Sequence, residues 1–150
     1  MKKIIILVAL FLGVFMNAQI HDPVKWVTSV EKISDNEFEL IATATIEGNW
    51  HLYSQYVADD GPIPTSFIYE GSSNYLKKGN TKEGKGHEVD DKIFDMRIKY
   101  FDGEAAFKQR IRIKNFKSFE VKAIVEFMVC NDTQCLPPKE VDLLFVIPSK

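Results

Sequence analysis

At 150 residues, with 19 Lys and Arg against 21 Asp and Glu and a formal net charge of -2, the chain carries no excess of positive charge. This balance gives no sign of the concentrated basic face a nucleic-acid partner requires, so no such partner is expected. Two Cys and three scattered His fall short of the four convergent ligands of a structural zinc site, and neither a metal nor a cofactor is expected.

The N-terminus opens with Lys2 and Lys3, runs through mostly apolar residues from Ile4 to Met16 and closes on Asn17-Ala18-Gln19. This is the pattern of a secretory signal peptide over residues 1–18, leaving a single domain over 19–150. The apolar run is shorter than the ~20 residues a spanning helix needs and no second long one follows, so no transmembrane segment is expected in the mature chain. Export would place the protein in the periplasm, where oxidising machinery lets thiols pair.

From Val24 onward the apolar residues recur with period two, punctuated by Pro, Gly, Asn and Asp, which predicts short antiparallel strands. Val24 to Ile33 is the first, turning at Ser34-Asp35-Asn36. Phe38 to Ile46 follows and stops at Glu47-Gly48-Asn49. Trp50 to Tyr53 runs into a loop around Asp59-Asp60-Gly61-Pro62, Thr65 to Tyr69 is a fourth strand, and Tyr75-Leu76 a short extension. Gly79 to Lys92, with three Gly and mixed charges, reads as a long exposed loop. Ile93 to Phe101 resumes the alternation and reaches Asp102-Gly103, a hairpin signal, from which Ala105 to Ile113 would return antiparallel. Phe119 to Val129 and Val141 to Ile147 complete the set. Strands without a convincing helix predict an all-β, immunoglobulin-like antiparallel β-sandwich, with a closed barrel as the alternative.

Between the last two strands lies Phe127-Met128-Val129-Cys130-Asn131-Asp132-Thr133-Gln134-Cys135-Leu136-Pro137-Pro138, which holds both cysteines. A polar insert of four residues can turn and let the thiols close a ring of six. As a structural clip so short a ring is worth only roughly 2 kcal/mol, and a domain of this size buries enough core to stand without staples. A redox-active pair is the sharper reading, although the spacing is not the C-x-x-C of thioredoxin-like proteins. A Cu(I) site built from Cys130, Cys135 and Met128 has suitable soft ligands but no accompanying Met or His cluster. Asp132, between the sulfurs, would disfavour a thiolate, or be a solvated turn residue. Pro137 and Pro138 fix the backbone after Cys135 and keep it out of regular pairing. His51 alternates with Trp50, so that it could face the pair or be an ordinary strand residue; His21 and His87 read as solvated.

With these cysteines in that place, the chain resembles the N-terminal domain of the bacterial thiol:disulfide interchange protein DsbD. The motif that carries the resemblance is Cys130 to Cys135 followed by Leu136-Pro137-Pro138. Gly48-Asn49-Trp50-His51-Leu52-Tyr53 is similar to that family's aromatic strand, with Tyr53 the match and His51 where tyrosine is more usual. The resemblance spans about Trp26 to Ile147. It implies an immunoglobulin-like domain that shuttles reducing equivalents, with protein-disulfide reductase chemistry at Cys130 and Cys135. Cys135 would join partners and Cys130 resolve the intermediate, with Tyr53, His51, Asp132, Pro137 and Pro138 as site neighbours. A cap loop would cover the disulfide; it matches Glu88 to Phe94, including Asp90 and Asp91, with Ile93 or Phe94 as the covering side chain.

The implied partners are periplasmic thioredoxin-fold proteins and a membrane-embedded electron donor. In the family protein a transmembrane segment and a thioredoxin-like domain follow, whereas this sequence ends at Lys150, so the donor is expected to be separate. The competing reading is a noncatalytic immunoglobulin-like binding module with a structural disulfide.

Overall fold

The computed structural model describes residues 21–92, 94–114 and 116–149. The signal peptide expected at 1–18 and Ile93 lie outside the described residues. Among those described there are eleven strands and no helix. In chain order they are β1 (Val24–Lys32), β2 (Glu37–Ile46), β3 (His51–Tyr53), β4 (Ser66–Tyr69), β5 (Tyr75–Glu83) and β6 (His87–Asp91). They continue with β7 (Met96–Phe101), β8 (Glu104–Ile113), β9 (Phe119–Phe127), β10 (Val129–Cys130) and β11 (Lys139–Ile147).

The first sheet has the order β1-β2-β8-β5. Its strands alternate as their sequences do: Phe38, Leu40, Ala42, Ala44 and Ile46 of β2 are buried while their neighbours face outward. Opposite lie two smaller sheets, β11-β9-β4 and β10-β3-β7-β6, joined where β9 runs into β10 past a break at Met128. All pairings are antiparallel. One core fills the space between, drawing Leu40, Phe107 and Ile111 from one layer and Leu52, Val125 and Phe145 from the other. Trp26 ties the layers together, its ring against those of Phe67, Phe107 and Phe127 at 5.5 to 5.9 Å. The result is the immunoglobulin-like antiparallel sandwich.

Three sequence expectations are corrected. Gly79 to Lys92 is not a loop: Tyr75-Leu76 extends into the nine-residue β5, which pairs with β8, and β6 pairs with β7. Both are edge strands whose residues are mostly exposed, so no apolar alternation marks them. A register shift between Lys78 and Lys82 further disguises β5. There the chain is held by the buried Gln109, whose amide nitrogen donates to the carbonyls of Lys78 (3.2 Å) and Gly79 (3.3 Å) and whose oxygen accepts from Thr81 Oγ1 (3.0 Å).

The second correction concerns Asp102-Gly103, which does not close a hairpin. β7 pairs with β3 and β6, whereas β8 pairs with β2 and β5, so this turn, with Gly103 at φ 62°, carries the chain from one layer to the other. Burial explains the choice, because Phe101 and Phe107 meet across the core at 5.6 Å and a hairpin would put them in one sheet. Third, the strand expected from Ile93 begins only at Met96, because Lys92, Phe94 and Asp95 belong to the β6–β7 turn, in which Asp95 has φ 51°.

Candidate redox site

The short strand β3 separates two environments. Leu52 is paired with Val129 of β10 and Phe101 of β7, and all three face the main core. By strand alternation the residues on either side of it point the opposite way. His51 stands across from Cys130, and Tyr53 across from Tyr100, which in turn stands across from His87. The outer face of this sheet therefore carries Cys130, His51, Tyr53, Tyr100 and Ile98.

That face is not open to water. Tyr53, Ile98 and Cys130 form a second buried cluster, against which Val57, Phe94, Met96, Tyr100, Met128 and Cys135 pack. Val57 comes from the segment between β3 and β4, and Phe94 from the β6–β7 turn. The turn is shaped by Asp91, whose Oδ1 accepts from the Phe94 amide at 3.1 Å. Gly86 lets the β5–β6 link pass against β7, since a Cβ there would lie 2.5 Å from the Tyr100 carbonyl oxygen.

The segment after β3 is tied down by a polar network that the sequence does not announce. Ser54, fully buried, donates to Glu83 Oε1 at 2.6 Å, the Gln55 amide donates to Oε2 at 2.8 Å, and Lys99 Nζ lies 2.9 Å from Oε1. Burial disfavours the charged carboxylate, but the hydrogen bonds from Ser54, the Gln55 amide and Lys99 outweigh it and hold Glu83 below the usual range. Thr65 Oγ1 completes the anchorage by donating to the Tyr53 carbonyl at 2.5 Å.

Cys130 and Cys135 are joined by a disulfide, with Cα atoms 4.0 Å apart. The ring between them is a hydrogen-bonded turn. The Asn131 amide donates to the Gln134 carbonyl and the Leu136 amide to the Val129 carbonyl, both at 2.9 Å. The Asn131 side-chain oxygen accepts from the Thr133 amide (3.0 Å), the Thr133 hydroxyl (2.9 Å) and the Gln134 amide (3.0 Å). The two sulfur-bearing residues are unequal: Cys130 is 1% exposed, whereas Cys135 is half-buried.

Beside the ring is a cleft of about 360 Å³ with His51, Tyr53 and Tyr100 on one side and Asp90, Asp91, Lys92 and Asp132 around it. The His51 ring stacks on Tyr100 at 4.1 Å, and Tyr53 meets Phe94 edge-on at 6.0 Å. Burial, aided by the Asp91 carboxylate, pushes the Tyr53 phenol far up; burial and then Asp102, Asp132 and Asp91 push Tyr100 up as well. Both phenols are therefore neutral donors at ordinary pH.

The structure thus gathers Cys130, Cys135, Tyr53, His51, Asp132, Asp90, Asp91 and Phe94 around one site. Asp90 and Asp91 are not loop residues but the last two of β6. Pro137 and Pro138 are exposed and line, instead of this cleft, a second, apolar one of about 430 Å³ with Leu136, Phe127 and Val129. Trp50 and Phe127 belong to the main core. His87 is exposed, 3.1 Å from Asp102 and tilted against Tyr100. His21 is exposed, with its ring 5.2 Å from that of Trp50. Among the described residues no group of three or more His, Cys, Asp or Glu is placed to hold a metal ion. Ser54, Glu83 and Lys99 were missed because nothing local links them. Tyr100 and Ile98 had a signal in the alternation of β7, which places them on one face.

The family model for the N-terminal domain of thiol:disulfide interchange protein DsbD matches residues 21–146. The chain belongs to that family. Membership makes it a thiol-disulfide interchange domain, and its one disulfide is the Cys130–Cys135 bond. Among solved structures, the fold is similar to the DsbD N-terminal domain of Neisseria meningitidis in its reduced form. That match has 18% identity and a TM-score of 0.50, over 83% of this chain and 85% of that one. It is also similar to the N-terminal periplasmic domain of ScsB from Proteus mirabilis, at 11% identity and a TM-score of 0.56, over 81% of this chain and 44% of that one. No curated protein matches the sequence significantly. Among the described residues no helix is long and apolar enough to cross a membrane.

Proposed function

We propose that the domain is a periplasmic carrier that passes reducing equivalents from a membrane-embedded donor to thioredoxin-fold acceptors through Cys130 and Cys135. The observation that carries this reading is the unequal exposure of the two cysteines in a short ring under a cover. A donor thiolate attacks the reachable Sγ of Cys135, the Cys130–Cys135 bond breaks, and the electron pair leaves on Cys130. A second donor thiol releases the reduced pair. Discharge runs in reverse: the Cys135 thiolate attacks an acceptor disulfide, and Cys130 then attacks Cys135 to free the acceptor as a dithiol. Phe94 and the β6–β7 turn shield the pair until a partner displaces them.

The test is the reduction potential together with trapping. Structural disulfides lie below about -300 mV, and a carrier should lie above that line. Cys130→Ala should trap a mixed disulfide through Cys135 with a thioredoxin-fold protein of the same compartment, and Cys135→Ala far less. A potential well below the line, no trapped complex and unfolding on reduction would assign the disulfide as a clip in a binding module. Periplasmic location rests on the leader at 1–18, and intact-mass measurement of exported protein should give Gln19 as the first residue.

A further inference from the structure

Cys130 is 1% exposed, and an apolar setting favours its protonated form. To resolve a mixed disulfide on Cys135 it must lose that proton, so some group beside it must accept one. The groups around the cleft narrow the choice. Asp90, Asp91 and Asp132 line the cleft, but a carboxylate is in general a much weaker base toward a thiol than an imidazole is, and none of the three stands across from Cys130 in the ladder. Lys92 is a cation at neutral pH with no acceptor lone pair. Tyr53 and Tyr100 hold their protons, chiefly through burial.

His51 remains. It is the direct cross-strand partner of Cys130 in the β3–β10 ladder, and such pairs have Cβ atoms about 4.5–5.5 Å apart. Its ring is fixed on its other side by the 4.1 Å stack on Tyr100 of β7, behind which His87 of β6 pairs with Asp102. An imidazole has a ring nitrogen that can accept a proton, and once protonated it leaves a positive charge beside the new thiolate.

We infer that His51 is the proton acceptor for Cys130 in the resolving step. This rests on the carrier reading and names how that site works. The Cys130 thiol gives its proton to the imidazole, and the thiolate attacks Cys135 Sγ. The bond from Cys135 to the partner sulfur breaks, and the electron pair leaves on the partner. That sulfur takes a proton from the imidazolium or from water, so the partner leaves as a thiol and the Cys130–Cys135 disulfide is restored.

The reduced mature protein mixed with the chromogenic disulfide of 2-nitro-5-thiobenzoate reads both steps. Attack by Cys135 releases one coloured thiol, and resolution by Cys130 releases the second. General-base assistance is typically worth about 100-fold or more, so His51→Gln should slow the second release by at least about tenfold at pH 7. The gap should narrow as pH rises past the ordinary thiol range of ~8.5, where ionisation depends less on an acceptor, and the first release should change little. His51→Tyr keeps a ring against Tyr100 without a basic nitrogen and should be as slow as His51→Gln. Equal slowing of both phases at every pH, or a His51→Tyr variant as fast as wild type, would reduce His51 to packing. The carrier reading fails separately: if Cys130→Ala traps no partner while the pH-dependent second phase persists, the carrier role falls and the proton acceptor stands.

Discussion

The ring of Phe94 stands edge-on to that of Tyr53, centroids 6.0 Å apart and planes at 87°. This contact fastens the β6–β7 turn over the cluster that contains Cys130. An edge-to-face pair is worth roughly 0.5–1.5 kcal/mol beyond its burial, so Phe94→Ala should raise the open population and speed reduction by dithiothreitol about two- to tenfold. A stopped-flow reduction assay checks it, with circular dichroism to show an intact fold. An unchanged rate would leave the turn without a shielding role.

The Ser54–Glu83–Lys99 network gives a pH-dependent stability. The folded Glu83 carboxyl sits below its unfolded value of ~4.3, so its contribution is present above that pH and is lost as pH falls through the lower folded value. With a side chain 3% exposed, Glu83 leaves Ser54, the Gln55 amide and Lys99 poorly served when replaced. Glu83→Ala should cost about 3 kcal/mol at pH 7, and the difference from wild type should shrink at pH 3. Urea unfolding at the two pH values measures it; an equal cost at both would remove the carboxylate from the explanation.

At the alkaline end the sign is opposite. Burial pushes Tyr69 up to about 12, and Tyr53 and Tyr75 are also raised by burial. Their unfolded forms ionise near ~10, so the stability they lend is whole below that pH and falls as pH rises toward 12. Absorbance titration of the phenolates should show part of the tyrosines ionising only as the fold is lost.

Opening the disulfide should cost little. A ring closed over so few residues contributes roughly 2 kcal/mol, and most of the core lies elsewhere, between β2, β8, β9 and β11. The reduced protein should therefore unfold cooperatively at a modestly lower urea midpoint. Loss of the transition on reduction would contradict this.

The sandwich was legible wherever a strand buries one face. β2 alternates Phe38, Leu40, Ala42, Ala44 and Ile46 with exposed or half-buried neighbours, and its type and limits follow from that. β5 escaped because Leu76 to Asn80 are all exposed on an edge, held by β8 and by the buried Gln109 rather than by their own side chains. The route through Asp102-Gly103 escaped for another reason, since a tight-turn dipeptide marks a reversal and says nothing of which layer receives the chain. At the site, the cysteines and Tyr53 were readable as a local motif, whereas Ser54 meets Glu83 across 29 residues and leaves no local trace.

The turn that carries the cysteines is closed by bonds between main-chain groups and the Asn131 amide, none of which involves a sulfur. Breaking the disulfide removes none of them directly. The two thiols of the reduced state are then held as neighbours at high effective concentration, with no search of chain conformations before they can react again. In the proposed exchange, an adduct formed on Cys135 would find the Cys130 thiol already in place, and its lifetime would be short.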